Sequence, residues 1–234
     1  MYIFPIPARS DNYIWIISHP QGVVVVDPSE AKPVLAYLAK NSQKPTAILL
    51  THNHHDHTDG VADIIAHYPD LPVYGPLEAA AFITQQVEPD QLFSLFGLSV
   101  KVIKSAGHTA GHISYLLDNQ HLFCGDALFS AGCGRVFTGD YVAQFETLAR
   151  FGELDDRTIV YPAHEYTQHN LRFALKVLPS SCLLLEHQER VDILRAENCP
   201  TLPTTIGLEK QINPFMQAVS LAEFIALRQQ RDEF

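Results

Sequence analysis

Thr51-His52-Asn53-His54-His55-Asp56-His57 follows directly on the apolar run Ile48-Leu49-Leu50 and gathers four of the chain's twelve histidines beside an aspartate. A short apolar run reads as a core strand, so the cluster lies at a strand's end, where packing gives crowded imidazoles no purpose. Neutral imidazoles and a carboxylate are the donors preferred by a borderline divalent metal such as zinc. In extended backbone, side chains alternate faces. His52 and His54 therefore point the same way, and Asn53 and His55 point elsewhere, which makes His55 a non-ligand. Asp56 and His57 open the next helix, where the positive end of the dipole favours the carboxylate and disfavours a protonated imidazole. Three imidazoles and a carboxylate from so short a segment do not all reach one ion. Two adjacent ions are the natural solution.

Three further donors follow apolar runs. His108 lies in Gly107-His108-Thr109-Ala110-Gly111-His112, Asp126 follows Leu122-Phe123 and Gly125, and His164 follows Ile159-Val160-Tyr161-Pro162-Ala163. Each falls just past a strand, where α/β architectures collect their sites. His67, His121 and His169 stand alone and read as surface or packed residues.

The 234 residues suffice for a sizeable core, and 47% hydrophobic against 18% charged residues is an ordinary globular balance. A net charge of -10 argues against a nucleic-acid or anionic-membrane surface. No apolar run approaches the ~20 residues that span a bilayer, and the first residues do not read as an export signal. Cys124, Cys133, Cys182 and Cys199 form no C-x-x-C pair and read as reduced thiols of a cytoplasmic protein.

Ile14-Trp15-Ile16-Ile17 and Val23-Val24-Val25-Val26 flank the turn-like Pro20-Gln21-Gly22 and predict a buried hairpin. A helix is expected over Pro33 to Leu38. Helical spacing of Val61, Ile64, Ile65 and Tyr68 predicts another after Asp56. Strands are expected near Val100-Ile103, Ile113-Leu117, Leu122-Phe123 and Thr158-Tyr161, with a helix near Gln144-Phe151. After His164 the texture turns helical (170–178, 183–197, 221–231), broken by Pro179, Pro200, Pro203 and Pro214. The division falls near residue 165, giving a metal domain over 1–165 and a helical domain over 166–234.

The pattern T-H-x-H-x-D-H, then a downstream His, an Asp and a His, resembles the metallo-β-lactamase superfamily. That resemblance implies an α/β fold, an αββα sandwich with a small C-terminal helical domain here. It implies one metal on His52, His54 and His108, a second on Asp56, His57 and His164, Asp126 bridging both, and Asp27 supporting the site from behind. A narrower resemblance is to glyoxalase II, the hydroxyacylglutathione hydrolases. It rests on Asp11-Asn12-Tyr13, Gly125-Asp126-Ala127-Leu128-Phe129, Ala131-Gly132-Cys133-Gly134-Arg135, His164-Glu165-Tyr166-Thr167, Asn213-Pro214-Phe215, and the terminal Arg228, Arg231, Asp232 and Phe234.

This resemblance implies hydrolysis of S-D-lactoylglutathione and similar glutathione thioesters by a hydroxide generated at two divalent ions. Zinc is expected, with iron and manganese accepting the same donors. Asp56 and Asp126 would orient that hydroxide, and Arg135, Tyr166, Arg228 and Arg231 would hold the glutathione. The partner implied is the small-molecule thioester alone, with no nucleic acid or membrane, and the chain acts as a monomer. Arg135 and Arg231 stand where the family often has lysine, and Phe137 where tyrosine is common. The alternatives are a mononuclear-iron glutathione persulfide dioxygenase or another hydrolase of the superfamily.

Overall fold

The computed structural model describes residues 1–179 and 181–234. Its strands are β1 (Tyr2–Ala8), β2 (Asn12–His19), β3 (Gly22–Val26), β4 (Pro45–Leu49), β5 (Val73–Gly75), β6 (Gln85–Gln86), β7 (Leu92–Leu95), β8 (Leu98–Lys104), β9 (Ile113–Leu117), β10 (His121–Gly125), β11 (Ile159–Pro162) and β12 (Thr204–Thr205). Its helices are α1 (Ala31–Lys40), α2 (His55–Thr58), α3 (Val61–His67), α4 (Tyr141–Gly152), α5 (Thr167–Val177), α6 (Cys182–Ala196), α7 (Ile206–Ile212), α8 (Pro214–Gln217) and α9 (Leu221–Asp232). Two six-stranded sheets run β1-β2-β3-β4-β5-β6 and β12-β11-β10-β9-β8-β7.

Period-two alternation builds the layers. Along β2, Tyr13, Trp15 and Ile17 enter the core between the sheets, with Val24, Val26, Leu49, Val102, Tyr115 and Phe123. The intervening Ile14 and Ile16 face outward onto Val34, Leu38 and Ile64 of α1 and α3. The outer face of the second sheet, including Leu116, Leu122 and Val160, packs on Leu148 and Phe151 of α4, Phe173 of α5 and Phe224 of α9. The result is the αββα sandwich. Burial on both faces explains why β2 and β3 read as continuous apolar runs.

The expected hairpin forms, with Trp15 opposite Val26 and His19 opposite Gly22. β1 extends it at the edge, Tyr2 opposite Ser18, although its half-exposed residues and two prolines give no strand signal. The helix expected after Asp56 is interrupted: α2 is one turn, ending before Gly60, and α3 carries the periodic apolar residues. The region after His164 is helical but also supplies β12, paired antiparallel to β11.

Candidate metal centre

Four strand ends bring the donors together at one edge of the sandwich. His52 and His54 leave β4, with Asp56 and His57 in α2 behind them. His108 sits in the turn between β8 and β9, Asp126 follows β10, and His164 follows β11. The donor atoms of His52, His54 and His108 lie within 4.8 Å of one another, as do those of Asp56, His57 and His164. Asp126 stands between the two triads. Its Oδ1 lies 3.4 Å from His57 Nε2 and 3.3 Å from His164 Nε2, and its Oδ2 lies 3.4 Å from His108 Nε2. Asn53 and His55 are exposed, as side-chain parity predicts.

The hydrogen bonding fits metal ions rather than a self-satisfied polar cluster. His52 Nε2, His57 Nε2 and Asp126 Oδ1 are buried without a hydrogen-bond partner. Unmatched buried polar atoms are costly, and these three converge where a cation would use their lone pairs. Four of the five rings have a partner at Nδ1: His108 meets the Arg135 carbonyl at 2.8 Å, His164 meets Asp11 at 2.8 Å, His57 meets Asp27 at 3.0 Å and His52 meets Thr51 Oγ1 at 3.0 Å, whereas His54 turns its Nδ1 toward His108 Nε2, 3.0 Å away. An Nδ1–H donated outward leaves Nε2 unprotonated and aimed inward, the arrangement of metal-binding histidines. Asp27 itself also lies within reach of His52 and His57, but Thr51 N–H, Thr51 Oγ1–H and His57 saturate its oxygens. It orients the centre from behind.

Two supports have little signature in the sequence. His112 is buried and stacks on His52, with centroids 4.7 Å apart. Its Nε2 accepts from the Asp126 N–H and its Nδ1 bonds Ser105, so it fixes the turn carrying Asp126. Glu78 accepts from Thr109 Oγ1 and Gly111 N–H, anchoring the His108 turn. The spacing of His112 from His108 was the available clue. Glu78 offers none. Gly125 adopts φ +50, and a Cβ there would lie 2.4 Å from Thr51 Oγ1 and 2.8 Å from His112 Nε2, so the close approach requires glycine.

Electrostatics divide the histidines. Burial pushes His52 well down from its ordinary value, keeping it neutral. For His57, burial acts in the same direction, but the charges of Asp126 and Asp27 outweigh it and raise the group to about 10. His164 is likewise raised, Asp126, Asp11 and Asp56 overcoming its burial. In chelator-stripped protein both hold a proton at neutral pH, and each must lose it to bind a cation. Metal uptake at pH 7 is therefore expected to release roughly two protons per chain, with apparent affinity rising as pH approaches 10. Calorimetry in buffers of different ionisation enthalpy measures this directly; a buffer-independent heat would contradict it.

The centre floors a cleft of about 560 Å³ walled by Phe129, Arg135, Phe137 and Tyr166. Tyr166 stacks on His164 at 4.7 Å. A smaller hollow of about 200 Å³ shares Phe129, Arg135 and Tyr166 and adds Arg228, Arg231, Asp232 and Phe234. The four residues Arg135, Tyr166, Arg228 and Arg231 thus meet around connected space. Arg228 is nevertheless buried, its guanidinium on the Cys133 carbonyl and on Asp232, and Arg231 bonds Asn170.

Residues 8–164 match the family model described as the metallo-beta-lactamase superfamily, and residues 165–234 match hydroxyacylglutathione hydrolase C-terminus. The chain is 64% identical to a hydroxyacylglutathione hydrolase of Glaesserella parasuis over the full length of both. The chain belongs to the hydroxyacylglutathione hydrolase family. A second member, from Actinobacillus pleuropneumoniae, is 60% identical and covers 99% of each chain. Among solved structures, ETHE1 from Myxococcus xanthus superposes with a TM-score of 0.75 at 25% identity, covering 98% of this chain and 90% of the other. A chain crystallised in a di-iron-bound form gives 0.63 at 27%, covering 91% and 99%. Family fold and donor set together make this a divalent-metal centre.

Proposed function

We propose that this chain hydrolyses S-(2-hydroxyacyl)glutathione, S-D-lactoylglutathione above all, to glutathione and a 2-hydroxy acid, serving methylglyoxal detoxification. Full-length identity to hydroxyacylglutathione hydrolases supports the substrate class. The observation that carries the mechanism is the Asp126 carboxylate, one oxygen toward each triad, at the floor of a cleft bordered by Arg135 and Tyr166. We assign one cation to His52, His54 and His108, a second to Asp56, His57 and His164, and Asp126 to both. Zinc suits these nitrogen and oxygen donors, and iron and manganese compete for them. Such ions, when bound, lower the pKa of water from about 15.7 to about 7 and polarise a carbonyl.

The chain's own groups do the rest. Burial works to protonate Asp56 and Asp126, yet the neighbouring imidazoles hold both below the usual carboxylate range, so both remain acceptors able to orient an attacking water. The flat face of Tyr166 against His164 closes one side of the centre. Arg135, Arg228 and Arg231 oppose the single side-chain carboxylate of Asp232 around the adjoining hollow, leaving positive charge for the carboxylates of glutathione. The departing thiolate has a parent pKa near 8.5, so a dedicated general acid is less necessary than for an amine.

We place the catalytic work in residues 1–165 and substrate holding in 166–234. We read the chain as acting as a monomer. No helix among the described residues is long and apolar enough to cross a membrane, and the four cysteines are free thiols, in keeping with a reducing cytoplasm. The complete second triad favours hydrolysis over a single-iron dioxygenase.

Hydrolysis of S-D-lactoylglutathione, followed with and without chelator and paired with elemental analysis, tests the reading. Two ions per chain are expected, with activity lost on chelation and restored by zinc. One iron per chain with oxygen consumption would replace it by the dioxygenase reading. Arg135 is half-exposed and pairs only loosely with Asp232, at 3.3 Å. Arg135→Ala is expected to raise KM for the glutathione thioester about tenfold, the worth of one charge-assisted hydrogen bond, and to spare a small thioester lacking glutathione. Equal losses on both substrates would remove Arg135 from the glutathione site.

A further inference from the structure

The turn over residues 129–135 runs from the Asp126 strand end to Arg135; it closes on itself through reciprocal backbone bonds between Phe129 and Gly132, and side chains from the helical region hold its backbone from Phe129 to Cys133. Asn170 of α5 donates to the Ser130 carbonyl at 3.1 Å. Glu209 of α7 accepts from the Ala131 N–H at 2.7 Å. Asn213, which caps α8, donates to the carbonyls of Phe129 and Gly132 at 3.2 and 2.9 Å. Arg228 of α9 donates to the Cys133 carbonyl at 2.9 Å. All four side chains are buried, Glu209 and Asn213 completely.

Glu209 is linked to the others. Its second oxygen accepts from Thr204 Oγ1–H, and Asn213 Nδ2–H also donates to its carboxylate. Burying a carboxylate this deeply is expensive, and burial raises its pKa against those hydrogen bonds. Ala131, the residue it grips, is held at φ 54, a conformation costly for alanine unless the surroundings impose it.

The far end of this turn reaches the metal centre. The Arg135 carbonyl meets His108 Nδ1. Gly134 packs so closely that a Cβ there would fall 2.0 Å from the Asp126 carbonyl oxygen and 3.0 Å from His108 Nδ1. Phe129 stands edge-on to His164 at 5.8 Å. A displacement of the turn would therefore move the carbonyl that sets the His108 tautomer and the backbone lying against Asp126.

We infer that the helical region positions the metal centre: Asn170, Glu209, Asn213 and Arg228 hold the 129–135 turn in the one conformation that presents Arg135 O to His108, so they set metal affinity before any substrate arrives. The inference rests on the metal assignment above. It gives the helical region a duty separate from glutathione binding. Glu209 is a positioning residue, touching neither metal nor substrate.

The test measures metal affinity by chelator competition in the absence of substrate, together with melting of the metal-free protein. Glu209→Ala frees Ala131 and is expected to weaken metal binding at the His52, His54 and His108 group about tenfold, the usual effect of losing an outer partner of a ligand. Glu209→Gln keeps an acceptor for Ala131 N–H and can donate to Thr204 Oγ1, so near wild-type affinity is expected. Leu38→Ala, a fully buried apolar truncation in α1 whose cluster includes no residue of the turn, lowers the melting temperature without touching the turn, and its metal affinity should stay at the wild-type value. Should Glu209→Ala fail to fold, Asn170→Ala gives up one bond to the turn and should show a smaller loss in the same direction.

Wild-type affinity in Glu209→Ala, or in Asn170→Ala where only that variant folds, overturns the inference, as does a loss in Leu38→Ala equal to that in the clamp variants. Wild-type protein that takes up no metal would instead overturn the metal assignment itself.

Discussion

Asp126→Asn is expected to remove metal and turnover together, lowering kcat by more than the 10–100-fold typical of an outer-shell loss. An amide offers one neutral oxygen in place of two sharing a negative charge. Asp126 presents Oδ2 to His108 and Oδ1 to His57 and His164, so whichever way the asparagine turns, one triad meets an N–H group. That group repels a cation. The same substitution withdraws the charge that most strongly raises His57 and His164 against their burial, so in chelator-stripped variant protein these two imidazoles should hold fewer protons at neutral pH than in the wild type. Elemental analysis and turnover on S-D-lactoylglutathione decide the matter. A variant carrying two ions per chain at wild-type kcat would end the bridging assignment.

Much of this centre can be read from residue order alone. His52 and His54 share a face because they are two apart in extended chain, and His55 points away by the same parity. His108, Asp126 and His164 are signalled by what precedes them, an apolar strand that must end at the sheet's edge. The position of Asp126 between the two triads needed more, because its two-sided contact depends on how four separate strand ends converge. Elements without a burial pattern were silent. β1 carries two prolines and half-exposed side chains, while β5 and β6 span three and two residues, too short for any periodicity.

Polar contacts between distant segments were the least legible. The Glu209 grip on Ala131 spans 78 residues and the Arg228 bond to Cys133 spans 95, and no local rule announces such partners. Arg228 shows the consequence: a terminal-helix arginine reads as a ligand for substrate or as a complement to the helix dipole. The fold adds a third role, as a buried donor to a carbonyl.

Asp27 supplies the other large effect, and two substitutions separate its contributions. The residue is buried at φ 48 and accepts from Thr51 N–H, Thr51 Oγ1–H and His57 Nδ1. Asp27→Ala leaves three buried donors unmatched in a backbone conformation alanine resists. A cost of about 3–5 kcal/mol follows, lowering the melting temperature by roughly 10 °C for a chain of this size. Asp27→Asn tolerates the conformation and keeps an acceptor for Thr51 N–H, and the Thr51 hydroxyl can turn to accept, so most of the stability should remain. Its amide N–H, however, faces His57 Nδ1. The imidazole then accepts there and carries its proton on Nε2, the atom that must bind metal. Asp27→Asn is therefore expected to melt near the wild type yet bind metal at Asp56, His57 and His164 10–100-fold more weakly. Melting of chelator-stripped protein and chelator competition read the two quantities separately. Undiminished metal affinity in Asp27→Asn would mean that His57 takes its tautomer from something other than Asp27.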